Sequence, residues 1–287
     1  QVVGWGGIFA SHIASRQSTR ISDATIFLPA TEPGLVWMVD YPSGSIQGMP
    51  DLWLTDLAGK QITEPTRIDV EGFPAIGIPG GVAIETNGGV ALWDATSGAV
   101  SERLGTQRGF VSDSQGSLLA WCDKCTELHI TNVDTLEDIE ISSPTGRLFN
   151  TYNFGARSAR FSPDGRYLAV TAGSSVVLID TQSGDAQHIA DLPGAEPSHY
   201  FGWTADSRQL YVSSYSYGLS ETLLVRADLE TGAIDYATLP FGGALSFEIL
   251  TPEEARPYLN DEDQLPADCP PVGVQPSGRE GICGFKF

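Results

Sequence analysis

The chain has 287 residues, with 36 acidic and 16 basic side chains, a formal charge of −20 and only three lysines, Lys60, Lys124 and Lys286. That charge excludes nucleic-acid binding through phosphate neutralisation and adhesion to anionic membranes. Apolar residues make up 41% and charged ones 18%, the balance of a folded chain, and no apolar run approaches the length of a membrane span.

In chain order, alternating apolar stretches recur at the pace of short strands. Five of them end in Asp or Asn followed by a turn: Trp53-Leu54-Thr55-Asp56-Leu57-Ala58-Gly59, Leu92-Trp93-Asp94-Ala95-Thr96-Ser97-Gly98, His129-Ile130-Thr131-Asn132, Leu178-Ile179-Asp180-Thr181-Gln182-Ser183-Gly184 and Arg226-Ala227-Asp228-Leu229-Glu230-Thr231-Gly232. The anchors at 56, 94, 132, 180 and 228 are spaced by 38, 38, 48 and 48 residues. Four-stranded propeller blades have periods of this size. The carboxylate or amide can accept hydrogen bonds from turn amides, and Gly supplies the positive φ a tight turn needs. The third repeat has no such Gly in Asn132-Val133-Asp134-Thr135-Leu136-Glu137, which predicts a turn built differently.

A second element precedes the first in each unit. It is Phe110-Val111-Ser112-Asp113-Ser114-Gln115-Gly116, then Phe161-Ser162-Pro163-Asp164-Gly165-Arg166, then Trp203-Thr204-Ala205-Asp206-Ser207-Arg208, each followed by an alternating strand. An aromatic strand end, a polar turn and a second strand make a β-hairpin. No segment sustains a helical period, so the chain reads as all-β.

The run Phe161-Ser162-Pro163-Asp164-Gly165-Arg166-Tyr167-Leu168-Ala169-Val170 resembles the hallmark of TolB-like and WD40-like β-propeller repeat proteins of the bacterial, exported type. Leu92-Trp93-Asp94-Ala95-Thr96-Ser97-Gly98 is similar to the strand that names the WD repeats, although the Gly-His dipeptide of true WD40 blades is missing. The resemblance covers about residues 26–240 and implies blades around a central channel; it implies no reaction. The expected fold is a β-propeller of five four-stranded antiparallel blades, near 25–68, 73–104, 108–142, 158–190 and 199–239. The ends, 1–24 and 240–250, are expected to close the ring, with a composite sixth blade as the alternative. Residues 251–287 read as a disulfide-pinned tail, with one helical turn after Thr251-Pro252.

Cys122 and Cys125 flank Asp123-Lys124 between two predicted strands, a spacing that suits a hairpin disulfide; Cys269 and Cys283 form the second expected pair. A zinc site of all four is the alternative, as are free thiols, while redox chemistry would need a helix N-terminus. His12, His129, His188 and His199 show no metal spacing, and no nucleophile elbow or phosphate loop occurs. No cofactor and no metal is expected. Two long tips carry the residues best suited to recognition: Tyr41, Ile46 and Met49 in 41–50, and Tyr215, Tyr217 and Leu219 in 213–220. The expected function is a non-catalytic scaffold, with a protein partner or self-association, in an extracellular or cell-envelope setting. A hydrolase or lyase with an axial, metal-dependent site and a small-ligand-binding propeller are the alternatives.

Overall fold

A computed structural model describes residues 8–12, 17–22, 24, 26–42, 49–123, 127–141, 159–172, 175–192, 199–215 and 222–239. These residues form strands and no helix. Strands β1 (Ile8–His12) and β2 (Gln17–Ser22) pair as an antiparallel hairpin. Five four-stranded sheets follow, each a meander of sequential antiparallel neighbours. Blade one is β3 (Ile26–Pro29), β4 (Leu35–Asp40), β5 (Asp51–Asp56) and β6 (Thr66–Arg67). Blade two is β7 (Phe73–Ile78), β8 (Gly81–Thr86), β9 (Gly89–Asp94) and β10 (Ala99–Leu104). Blade three is β11 (Gly109–Gln115), β12 (Leu118–Asp123), β13 (Glu127–Asn132) and β14 (Glu137–Asp138). Blade four is β15 (Ala159–Phe161), β16 (Tyr167–Ala172), β17 (Ser175–Asp180) and β18 (Ala186–Asp191). Blade five is β19 (His199–Trp203), β20 (Gln209–Tyr215), β21 (Thr222–Asp228) and β22 (Ile234–Leu239). The chain divides into two compact units, residues 1–139 with the hairpin and blades one to three, and residues 140–287 with blades four and five.

The repeated turns explain the even strand lengths. At the end of the third strand of every blade, a side-chain oxygen accepts turn amides: Asp56 from Ala58 and Lys60, Asp94 from Ser97, Asn132 from Asp134 and Thr135, Asp180 from Gln182 and Ser183, and Asp228 from Glu230 and Thr231. In blades two, four and five the turn closes when the N–H of Gly98, Gly184 or Gly232 donates to the carbonyl of the anchor aspartate, at 2.8–2.9 Å. Blade three uses the same geometry without glycine, because Leu136 takes φ +61° and its N–H donates to the Asn132 carbonyl.

The second repeated element is a six-residue hairpin in blades four and five. Ser162 donates to Asp164 and accepts the Tyr167 N–H, and Thr204 does the same with Asp206 and Gln209. Blade three differs from the sequence reading. Residues 110–115 remain in β11, with a bulge between Val111 and Asp113, and the turn is Gly116-Ser117. The segment contains no proline, so nothing stops the strand early.

Alternate strand residues stack the blades within each unit. Leu28, Trp37, Val39, Tyr41 and Leu52 of blade one pack with Val82, Ile84, Ala91 and Trp93 of blade two. Ile78, Ala83, Val90 and Leu92 pack with Val111, Leu119 and Trp121 of blade three. In the second unit, Ala169, Val176 and Leu178 pack with Phe201, Trp203, Leu210, Val212 and Val225. Full burial of such side chains contributes roughly 1.5–3 kcal/mol each, and here it holds neighbouring sheets face to face.

Candidate functional site

Of the two predicted tips, the structure describes only the flanks. Tyr41 is 4% exposed, inside the core shared by blades one and two. Burial pushes its hydroxyl up to about 12, and that oxygen has no hydrogen-bond partner. Tyr41 thus belongs to the core, while Met49, on the other flank, is 36% exposed. Tyr215 ends β20 opposite Thr222. Ile46, Tyr217 and Leu219 lie outside the described residues, as does the side chain of Tyr215. Cys122 is fully buried in β12, where its cross-strand neighbours are Phe110 and Leu128. The connection to β13 is residues 124–126, so Cys125, with Cys269, Cys283 and the tail, also lies outside the described residues.

Two blades gather histidine, carboxylate and hydroxyl. In blade three, His129 and Thr131 are two residues apart on β13 and therefore share a face. Asp138 of β14 joins them: Thr131 donates to its Oδ1, and His129 Nδ1 lies 3.0 Å from its Oδ2. Trp121 completes the set, donating to Thr131 at 2.8 Å and stacking on the His129 ring at 4.3 Å. In blade four, Ser175 donates to Asp191 Oδ1 at 2.7 Å and His188 Nε2 lies 2.9 Å from the same oxygen. Contacts from His188 and then Ser175 hold the Asp191 carboxyl below its usual range.

The connectivity of these sets decides their chemistry. A nucleophilic hydroxyl must hand its proton to an imidazole that a third group orients. In both blades the carboxylate stands between hydroxyl and imidazole, so neither histidine receives the hydroxyl proton. Thr131 is also 1% exposed. These are struts between the third and outer strands. Among the described residues, no group of three or more His, Cys, Asp and Glu side chains is placed to hold a metal ion.

Blade five has a polar face opposite its core. Tyr211, Arg226 and Asp235 stand in register on β20, β21 and β22. Arg226, 7% exposed, is paired with Asp235. Tyr211 donates to Gln209, which in turn donates to Asp228.

The outer strands are the feature that sequence reasoning missed. β6 and β14 are two residues long, and β10 and β18 carry bulges. By contrast β22 runs six residues in unbroken register with β21, and its Ile234 and Tyr236 are 37% and 40% exposed. The sequence Ile234-Asp235-Tyr236-Ala237-Thr238-Leu239 breaks its apolar–polar alternation at Ala237, so no pattern in it marks the strand as an edge.

No family model matches the chain. No curated protein matches it. Among solved structures it is similar to a "putative 6-phosphogluconolactonase" from Bacteroides fragilis, at 15% identity over 86% of this chain and 81% of the other, with a TM-score of 0.56. It is similar also to the computationally designed Ika8 protein, at 11% identity over 86% and 72% of the two chains and a TM-score of 0.53. A third likeness is to TolB from Acinetobacter baumannii, at 14% identity over 79% of this chain and 58% of that one, with a TM-score of 0.48. The fold is a β-propeller. At these identities the likeness is one of fold, and propellers serve unrelated functions. No helix among the described residues is long and apolar enough to cross a membrane, which says nothing of crossing by strands.

Proposed function

We propose that the chain is a non-catalytic, exported propeller that acts as a protein-interaction or assembly scaffold. The observation that carries this reading is the outer strand of blade five, which turns Ile234 and Tyr236 to solvent while the core beside them is closed. Large apolar side chains at a regular, unblunted sheet edge are what natural folds otherwise avoid. Their presence here supports a surface made to be covered. The tips at 41–50 and 213–220, with Ile46, Met49, Tyr217 and Leu219, are a second candidate surface. Strong acidity and an even cysteine count support an extracellular or envelope setting.

Native mass spectrometry of the protein isolated gently from its source tests the scaffold reading. The expected result is a stoichiometric companion protein or a discrete homo-oligomer. A lone monomer at micromolar concentration overturns it.

A further inference from the structure

We infer that β22 is the docking edge for an extended, basic segment of a partner protein, which adds to blade five as a fifth strand. The inference rests on the scaffold reading above and supplies the partner's chemistry and mode of attachment. Four of the five outer strands carry a device that stops further pairing. β6 and β14 are too short, and β10 and β18 are bulged and carry Glu102 with Arg103, and His188 with Asp191. β22 is neither short nor bulged, its one charged residue, Asp235, is paired with Arg226 of β21, and among the described residues it pairs with β21 alone.

Backbone direction follows from the ladder. The Asp228 N–H donates to the Ala233 carbonyl at 2.9 Å. Hydrogen-bonded residues alternate in an antiparallel pair, so 233, 235 and 237 face β21, and Ile234, Tyr236 and Thr238 turn their N–H and C=O groups outward. The side chains of Ile234 and Tyr236 lie on the same face as Ala227 and Val225, their cross-strand partners, which belong to the blade core. A strand added beyond β22 would therefore bury both with its own alternate apolar residues, extending that core by one row.

Charge selects the partner. Residues 228–239 contain Asp228, Glu230 and Asp235 and no lysine or arginine, in a chain of net charge −20. Two arginines of the blade stand beside this stretch and both are already paired, Arg226 with Asp235 and Arg208 with Glu230, so the chain's own cations are engaged and the surroundings stay acidic overall. A second copy of this chain would bring the same acidic edge to itself. An alternation of apolar and basic residues meets both the apolar row and the acidic surroundings.

The test uses the full chain and a fluorescein-labelled peptide of four Val-Lys repeats, read by fluorescence anisotropy at moderate salt. Two comparisons decide it: the same peptide N-methylated at every second residue, and the variant Tyr236→Pro. Position 236 points its N–H outward, so proline there removes an edge donor without breaking the β21 ladder. Circular dichroism melts verify its fold, and Thr238→Pro replaces it should the first variant unfold. Binding that weakens at least tenfold with either change supports strand addition. Equal binding of all forms means charge attraction alone, and overturns strand addition while leaving the scaffold reading in place. No binding to the wild type overturns β22 as a docking edge, and native mass spectrometry still decides the scaffold reading. A dimer that dissociates with Tyr236→Pro makes the occupant a second copy and overturns the partner assigned here.

Discussion

Among the described residues, Leu136 and Ser207 are the two non-glycine residues at positive φ, +61° and +60°. They occupy the places held elsewhere by Gly98 and Gly165, yet for different reasons. Leu136 is 44% exposed and only its backbone serves the turn. Ser207 is buried, and its hydroxyl accepts the Asp164 N–H at 3.1 Å, tying the hairpin of blade five to that of blade four. Left-handed backbone costs a residue with a Cβ about 1–2 kcal/mol. Ala and Gly remove the same side chain from either site, but only Gly removes that strain. Leu136→Gly is therefore expected to be more stable than Leu136→Ala by about 1 kcal/mol, the reverse of the usual order. At position 207 Gly again exceeds Ala, but both fall below wild type by about 1–3 kcal/mol, because the Asp164 amide loses its acceptor. Urea titrations of the four variants check both orderings, and equal stability of Gly and Ala at 136 refutes the strain account.

At the scale of elements, the blade is a unit of close backbone approach. Gly81 starts β8 where a Cβ would stand 1.8 Å from the Trp93 carbonyl oxygen of β9. That neighbour is backbone and cannot rotate away, so Gly81→Ala must push β8 off β9. The expected loss is on the order of 2–4 kcal/mol, and a thermal melt unchanged from wild type would show that the sheet opens more easily than its ladder implies. This element level is also where the sequence was most legible. The Asp or Asn anchor located the third strand of each blade, with a Gly after it in all but blade three, because side-chain capping and positive φ are local requirements that fix local residue types. It misplaced the hairpin of blade three, because Phe110 looks like Phe161 although no proline follows to end β11. The candidate surface was far less legible. Tyr41 belongs to a polar tip by sequence and to the core by packing, since the partners that bury it, Leu52 and Trp93 among them, come from other strands. The edge at β22 was invisible for a related reason: whether Ile234 and Tyr236 face a neighbour or solvent depends on what lies beyond the sheet.

For the whole molecule, acid response follows from opposed sets of carboxyls. Hydrogen bonds hold the turn aspartates below their usual range: Asp94 through Ser97, Asp206 through Thr204 and then Arg208, and Asp228 through Thr231. Burial pushes Asp164 up, but bonds from Ser162 and its neighbours outweigh it and the net shift is down. A depressed folded value means stability that is complete above the unfolded carboxyl value of about 3.9 and lost as pH falls through the folded one. Glu85 has the opposite sign. Burial raises it, against the Val111 N–H and the nearby charge of Arg108, so it is costly when ionised and that cost disappears on acidification. The turn aspartates outnumber it, and melting temperature should hold from pH 7 to about pH 5 and fall steeply below about pH 4. Glu85→Gln isolates the opposing term, because the amide oxygen can still accept the Val111 N–H while carrying no charge. It is expected to melt a few degrees above wild type at pH 7 and to coincide with wild type at pH 3, where Glu85 is protonated in the folded and unfolded chain alike. Calorimetry at the two pH values separates the alternatives: a gain that persists at pH 3 would assign the effect to packing, and no gain at pH 7 would mean that Arg108 already neutralises the buried charge.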